Sequence, residues 1–120
     1  MHPLKFGVFD HLDRGDIPLD QYYEARLRVI EMYDAAGFYA YHVAEHHQTS
    51  LGMAPSPGVF LASAIARTSQ IKLGALVYIL PAYSPLRLIE EICMLDHLSH
   101  GRYQFGIGQG VSAFEIAFHG

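Results

Sequence analysis

Ile71-Lys72-Leu73-Gly74-Ala75-Leu76-Val77-Tyr78-Ile79-Leu80 is a nearly unbroken apolar run, stopped by Pro81. A strand with one wet face alternates apolar and polar residues. A strand covered on both faces does not, and such strands belong to parallel sheets layered with helices. The flanking segments carry the helical period. Before the run, Ser56-Pro57 reads as an N-cap with proline at the first helical position. That helix is expected to reach about Ser69, with Val59, Leu61, Ala62, Ile65 and Ala66 as its buried side. After the run, Ser84-Pro85 repeats the device, and Leu88, Ile92, Leu95 and Leu98 recur at helical spacing until Gly101. Farther out, Lys5 to Phe9, Phe38 to Val43 and Arg102 to Ile107 read as strands. Leu19, Tyr23, Leu27 and Ile30 form a helical stripe between the first two, with Asp16 or Asp20 as its cap and Gly37 as its stop. The tail Phe114 to Phe118 fits either a fourth helix or an irregular loop.

Strand starts near positions 5, 38, 71 and 102 imply a repeat of roughly 30 residues, the length of one strand, one helix and two turns. Regular βαβα alternation predicts an α/β fold with a parallel sheet. An eight-unit barrel needs about 250 residues, so 120 residues hold four units. Residues 1–120 are therefore expected to be the N-terminal half of a (β/α)₈ TIM-type barrel, with an open doubly wound sheet as the alternative on periodicity alone. A half-barrel exposes two sheet edges and an apolar inner face. The expectation is a fragment of a longer protein, or two copies that pair as a homo-oligomer.

Composition narrows the function. Hydrophobic residues make up 51% and charged residues 17%, enough for a real core. Net charge is −4 and the eight Lys and Arg are scattered, which argues against nucleic acid as a partner. The single cysteine, Cys93, excludes an internal disulfide and reads as a small core residue. No apolar run reaches the roughly 18 residues of a membrane helix, and Met1 to Phe6 does not resemble a signal peptide. A cytoplasmic protein without a membrane partner is expected.

In a parallel architecture the functional rim is the C-terminal edge of the strands. Four loops meet there: Asp10 to Asp13, Ala44 to Gln48, Leu80 to Ser84, and Gly108 to Gly110. Glu45-His46-His47 is the densest group of chemistry-bearing residues. Consecutive residues of an extended segment point to opposite sides, so one imidazole can face the rim while its neighbour is held. A positioned imidazole suits proton transfer near neutral pH, and Glu45 can fix its tautomer. The bland reading is a polar strand end. A metal site is the competing one, with His42, Glu45, His46, His47 and His11 as ligands, although His-Glu-x-x-His is absent. Gly106, Gly108 and Gly110 fail the dinucleotide fingerprint because Val111 stands at its last position. They read as a plain turn or as room for a flat ligand or phosphate. Arg87 reads as a solvated or salt-bridged helix residue.

Several segments together resemble the bacterial luciferase family of flavin monooxygenases, in particular the alkanal monooxygenase type. They are Phe6-Gly7-Val8-Phe9, Ala44-Glu45-His46-His47, Leu73-Gly74-Ala75 through Leu80-Pro81, Ser84-Pro85-Leu86-Arg87, and Leu95 to Arg102 running into Phe105-Gly106-Ile107-Gly108. The resemblance implies a (β/α)₈ barrel that binds reduced FMN from a separate flavin reductase and uses O₂ to oxidise an aldehyde or another small organic substrate. It implies His46 as the catalytic histidine, with His47 and Glu45 in support. It implies flavin contacts from Ala75, Leu76, Val77, Gly108 and Gln109, and a non-prolyl cis peptide at Leu76-Val77. Gly108 stands where luciferase has a reactive cysteine, and Gln109 where it has an arginine near the flavin phosphate, so light emission is not expected. Two alternatives remain: a deazaflavin (F420)-dependent oxidoreductase that transfers hydride, and a non-catalytic flavin-binding or assembly subunit. No metal is expected.

Overall fold

Four β/α units follow one another in the computed structural model, which describes residues 1–119. The elements are β1 (Gly7–Asp10), α1 (Leu19–Ala35), β2 (Ala40–Val43), α2 (Pro57–Ala66), β3 (Lys72–Ile79), α3 (Pro85–Leu98), β4 (Tyr103–Gly108) and a short α4 (Ala113–Ala117). A single 3₁₀ turn, Leu80–Ala82, links β3 to α3. Every strand pair is parallel and the order is β1-β2-β3-β4. A doubly wound sheet would place later strands on both sides of the first. Strictly sequential order is the barrel arrangement, so this is a partial barrel. β1 and β4 are its outer strands.

The pleat sorts the side chains. Tyr41, Val43, Leu73 and Ala75 point toward the helices and are 0–1% exposed. They meet Leu27, Ile30, Phe60, Leu61, Ala64, Ile65, Leu88 and Leu95 in one core. The opposite face carries Phe9, His42, Gly74 and Gln104 in register across all four strands. His42 Nε2 meets Gln104 Oε1 at 2.8 Å, passing over Gly74. Only glycine fits beneath that bridge, since a Cβ on Gly74 would stand 2.2 Å from the Gln104 carbonyl oxygen.

Several sequence expectations shift here. β3 is covered on its helix side, but Leu76 is 45% exposed because it faces the hollow inside the sheet. α2 packs through Phe60, Leu61, Ala64 and Ile65, which turns Val59 and Ala66 outward. Leu98 and Cys93 are also exposed, so Cys93 is not a core residue. Neither Asp16 nor Asp20 caps α1; Pro18 stands at the cap, and Asp20 lies in the first turn, where the helix dipole favours it. Ser56 and Ser84 occupy N-cap positions ahead of their prolines, without a side-chain cap bond. Gly37 ends α1 with φ +82, a conformation glycine adopts without strain.

Two polar clamps lock units together. Asp34, at the end of α1, accepts the N–H groups of Ser69, Gln70 and Ile71 just before β3. Arg102 donates to the carbonyls of Ile65, Thr68, Ile71 and Ser99, satisfying backbone left open beyond α2.

Candidate active site

The C-terminal rim gathers the loops after β1, β2, β3 and β4. Its anchor at β1 is Asp10, which accepts the Leu12 N–H at 3.0 Å and the Tyr41 hydroxyl at 2.6 Å, and pairs with Arg26 at 3.1 Å. Burial, and then the Asp10 carboxylate, push the Tyr41 phenol above its ordinary range. This fixes where the chain leaves β1 toward His11.

Glu45, His46 and His47 follow β2. Glu45 is 3% exposed, although it is a carboxylate. Its Oε1 meets His47 Nε2 at 2.6 Å. Its Oε2 accepts the Ile79 N–H at 3.0 Å and the Tyr83 hydroxyl at 2.9 Å. Glu45 thus binds the end of β3 to the loop after β2. Burial raises the Tyr83 hydroxyl, and the neighbouring Glu45 charge raises it further.

His46 turns the other way, as residues in alternating directions must. Its Nδ1 meets Glu115 of α4 at 3.2 and 3.4 Å. Glu115 is 2% exposed and also accepts the His47 backbone N–H. Burial pushes the Glu115 carboxyl up; the His47 N–H and the His46 ring outweigh it and hold it below the usual carboxylate range. Gly52 makes room for His46, because a Cβ there would stand 2.9 Å from the His11 oxygen and 3.3 Å from the imidazole. The His11 ring stacks on that of His46 at 5.9 Å between centroids, with planes 10° apart. His11 Nδ1 is buried without a hydrogen-bond partner among the described residues.

One cavity of about 500 Å³ joins these groups. Phe9, His11, His46, Leu76, Val77, Gly108, Gln109 and Glu115 line it. The Leu76-Val77 peptide is cis, as the resemblance implies. Gly108 lies against Val77, where a Cβ would meet Cγ2 at 2.5 Å, and Gly106 lies against the Ala75 oxygen, where a Cβ would come within 2.7 Å. Both glycines let β4 pack closely on β3, and of the two Gly108 borders the cavity.

His46, Glu45, Leu76, Val77, Gly108 and Gln109 all border the cavity. His47 stands behind, against Glu45 and the His119 ring. Ala75 is 1% exposed with its side chain in the core, which leaves its backbone alone for any contact. Arg87 is exposed and paired with Glu90. Among the described residues, no group of three or more His, Cys, Asp or Glu side chains is placed to share a metal ion. His42 is committed to Gln104 instead. Glu115 is the residue sequence reasoning passed over. The signal was present: Ser112 stands three residues before Glu115, and its hydroxyl accepts the Glu115 N–H at 3.3 Å, the spacing of a helix start.

The sequence profile of the luciferase-like monooxygenases matches residues 4–120. An uncharacterised protein of Sinorhizobium fredii is 50% identical over 98% of this chain and 34% of its own length. The oxygenase component of the flavin-dependent trigonelline monooxygenase of Acinetobacter baylyi is 29% identical over 93% of this chain and 32% of its own. Among solved structures, the oxygenating constituent of 3,6-diketocamphane monooxygenase of Pseudomonas putida, a type II Baeyer-Villiger monooxygenase in complex with FMN, superposes with a TM-score of 0.90. It is 26% identical, over 97% of this chain and 32% of that one. This chain spans about a third of the length of these proteins.

Proposed function

We propose a function from one premise: this chain belongs to the luciferase-like monooxygenase family. It forms the flavin-facing rim of a monooxygenase that takes reduced FMN and O₂ and oxidises an aldehyde or another small organic molecule. The observation that carries the reading is the shared cavity, in which the His46 imidazole and the glycine-lined end of β4 border one hollow. A volume of about 500 Å³ lies within the range of small-molecule sites.

The residues fit a flavin. A flat ring system needs a narrow, apolar slot, and Phe9, Leu76 and Val77 supply its walls. Gly108 brings backbone without a side chain to the cavity wall. The orphaned Nδ1 of His11 needs a polar partner that the described residues do not provide. Gln109 offers an amide to phosphate, without the charge-assisted fork of an arginine. Bound FMN would supply the electrons that activate O₂. This chain's own residues would give the slot one apolar wall, orient the ring, and hold a proton at His46.

The related trigonelline enzyme is named as an oxygenase component, which supports a separate reductase as the source of reduced flavin. Further β/α units, completing the barrel from the same chain or a second one, would supply the remaining pocket wall and select the substrate.

The test is flavin binding paired with turnover. FMN fluorescence should be quenched on titration with the protein. In the complete barrel, His46→Ala should keep most of that binding and lower O₂-dependent substrate oxidation on the order of 10²-fold or more. Absence of FMN binding, or hydride exchange with F420 in its place, sinks the reading. Unchanged turnover in His46→Ala would remove His46 from the chemistry, and FMN binding without any turnover in the complete barrel would point to a non-catalytic subunit.

A further inference from the structure

We propose that Glu115 is the positioning residue of His46: it holds the ring as the Nδ1–H tautomer and leaves Nε2 as the proton acceptor at the cavity. The assignment rests on the functional reading above only for what the proton does; the geometry stands without it.

Two carboxylates and two histidines are interleaved here, and their pairing is not the one adjacency suggests. Glu45 precedes His46 in the chain but is spent on His47, Ile79 and Tyr83. The carboxylate that reaches His46 comes from 69 positions away, on α4. Glu115 does not fold back onto Ser112, as a capping glutamate would. It crosses to the loop after β2, where one oxygen takes the His47 N–H and both approach His46 Nδ1. An ionised carboxylate only accepts hydrogen bonds. The proton between Glu115 and His46 therefore sits on Nδ1, and Nε2 carries the lone pair. Among the described residues Nε2 has no hydrogen-bond partner, and unlike His11 Nδ1 it is not fully buried. His46 lines the cavity shared with Leu76, Val77 and Gly108. When Nε2 takes a proton from a bound molecule, the imidazolium forms beside a carboxylate already in place, and Glu115 stays ionised throughout. The His47 N–H bond fixes the carboxylate, so the His46 ring cannot swing without losing its own Nδ1 bond to Glu115.

Long-range ¹H–¹⁵N spectra of histidine-labelled protein test this without flavin, at about pH 8, above the usual imidazole range. The expected result is His46 protonated at Nδ1 and bare at Nε2. Glu115→Ala should produce a tautomer mixture, and Glu115→Asp should restore the Nδ1–H form at least in part. Thermal melts and dispersed amide spectra identify any variant that fails to fold, and Glu115→Gln then serves as the milder change. In the complete barrel, Glu115→Gln should lower kcat by on the order of 10²-fold while KM and FMN affinity change less than about twofold. A proton on Nε2 of the wild-type ring, or a tautomer unmoved in folded Glu115→Ala (or, where that variant fails to fold, in Glu115→Gln), overturns the assignment. Because the spectra need no cofactor, lost flavin binding would sink the proposed function and leave this pairing standing.

Discussion

Glu45 Oε2 accepts the backbone N–H of Ile79 at 3.0 Å, tying the loop after β2 to the last residue of β3. The same oxygen takes the Tyr83 hydroxyl. Removing this carboxylate strands a buried N–H and a half-buried phenol together, and each unsatisfied group costs roughly 1–3 kcal/mol. Glu45→Ala should therefore destabilise the fold by about 3 kcal/mol, read from the urea midpoint. Glu45→Gln retains an acceptor and should cost less than half as much. Equal losses would mean that charge, and not hydrogen bonding, holds this joint.

Glycines at two points of the sheet should respond differently to a methyl group. Gly74→Ala places Cβ 2.2 Å from a backbone oxygen that cannot rotate away. The expected cost is about 3 kcal/mol, with a matching fall in Tm. Gly108→Ala meets the Cγ2 of Val77, a side chain that can shift. It should cost about 1 kcal/mol but narrow the cavity, so FMN affinity should fall more steeply than stability. Normal FMN binding by Gly108→Ala would show that Gly108 and Val77 do not bound the flavin slot.

Arg102 should resist conservative replacement. Its guanidinium serves carbonyls from α2, the following turn and α3 at once. A lysine ammonium cannot span that fan. Arg102→Lys and Arg102→Met should both lower stability, by about 2 and 3 kcal/mol, in chemical denaturation. Full rescue by lysine would contradict the assigned role.

Acid should undo the Asp34 clamp. Burial raises this carboxyl, but three backbone N–H groups outweigh it, so its folded value lies below the ordinary one. A lowered folded value means stability that is complete above the unfolded value of about 3.9 and lost as pH falls through the folded one. Asp34→Asn should be less stable than wild type by about 1 kcal/mol at neutral pH, with the gap closing below about pH 4. Glu115, also lowered, adds to the same acid limb. Urea midpoints across a pH series measure this; a gap that stays constant into acid would exclude it.

The strand order and the rim were legible because they follow from period and punctuation. The apolar run at 71–80, the two Ser-Pro starts and the repeat near 30 residues all report local chemistry. Helix faces were less legible. Val59 and Ala66 differ from Leu61 and Ile65 only in which neighbour they meet, and hydropathy does not encode that. The candidate site was half legible. Adjacency exposed Glu45-His46-His47, but which carboxylate serves which ring depends on β4 and α4 docking against a loop far away in the chain. Short-range patterns carry no record of such a meeting. Ala75 shows the same limit: alternation along β3 sends it into the core while Leu76 faces the hollow.

The outer strands β1 and β4 each keep one row of peptide groups facing away from the sheet. Any polypeptide that satisfies either row in parallel also lengthens the rim on which His11, His46 and Glu115 stand. Growth of the sheet and enclosure of the cavity are thus one structural event, and whatever seals the backbone ladder also decides which molecules reach the imidazole.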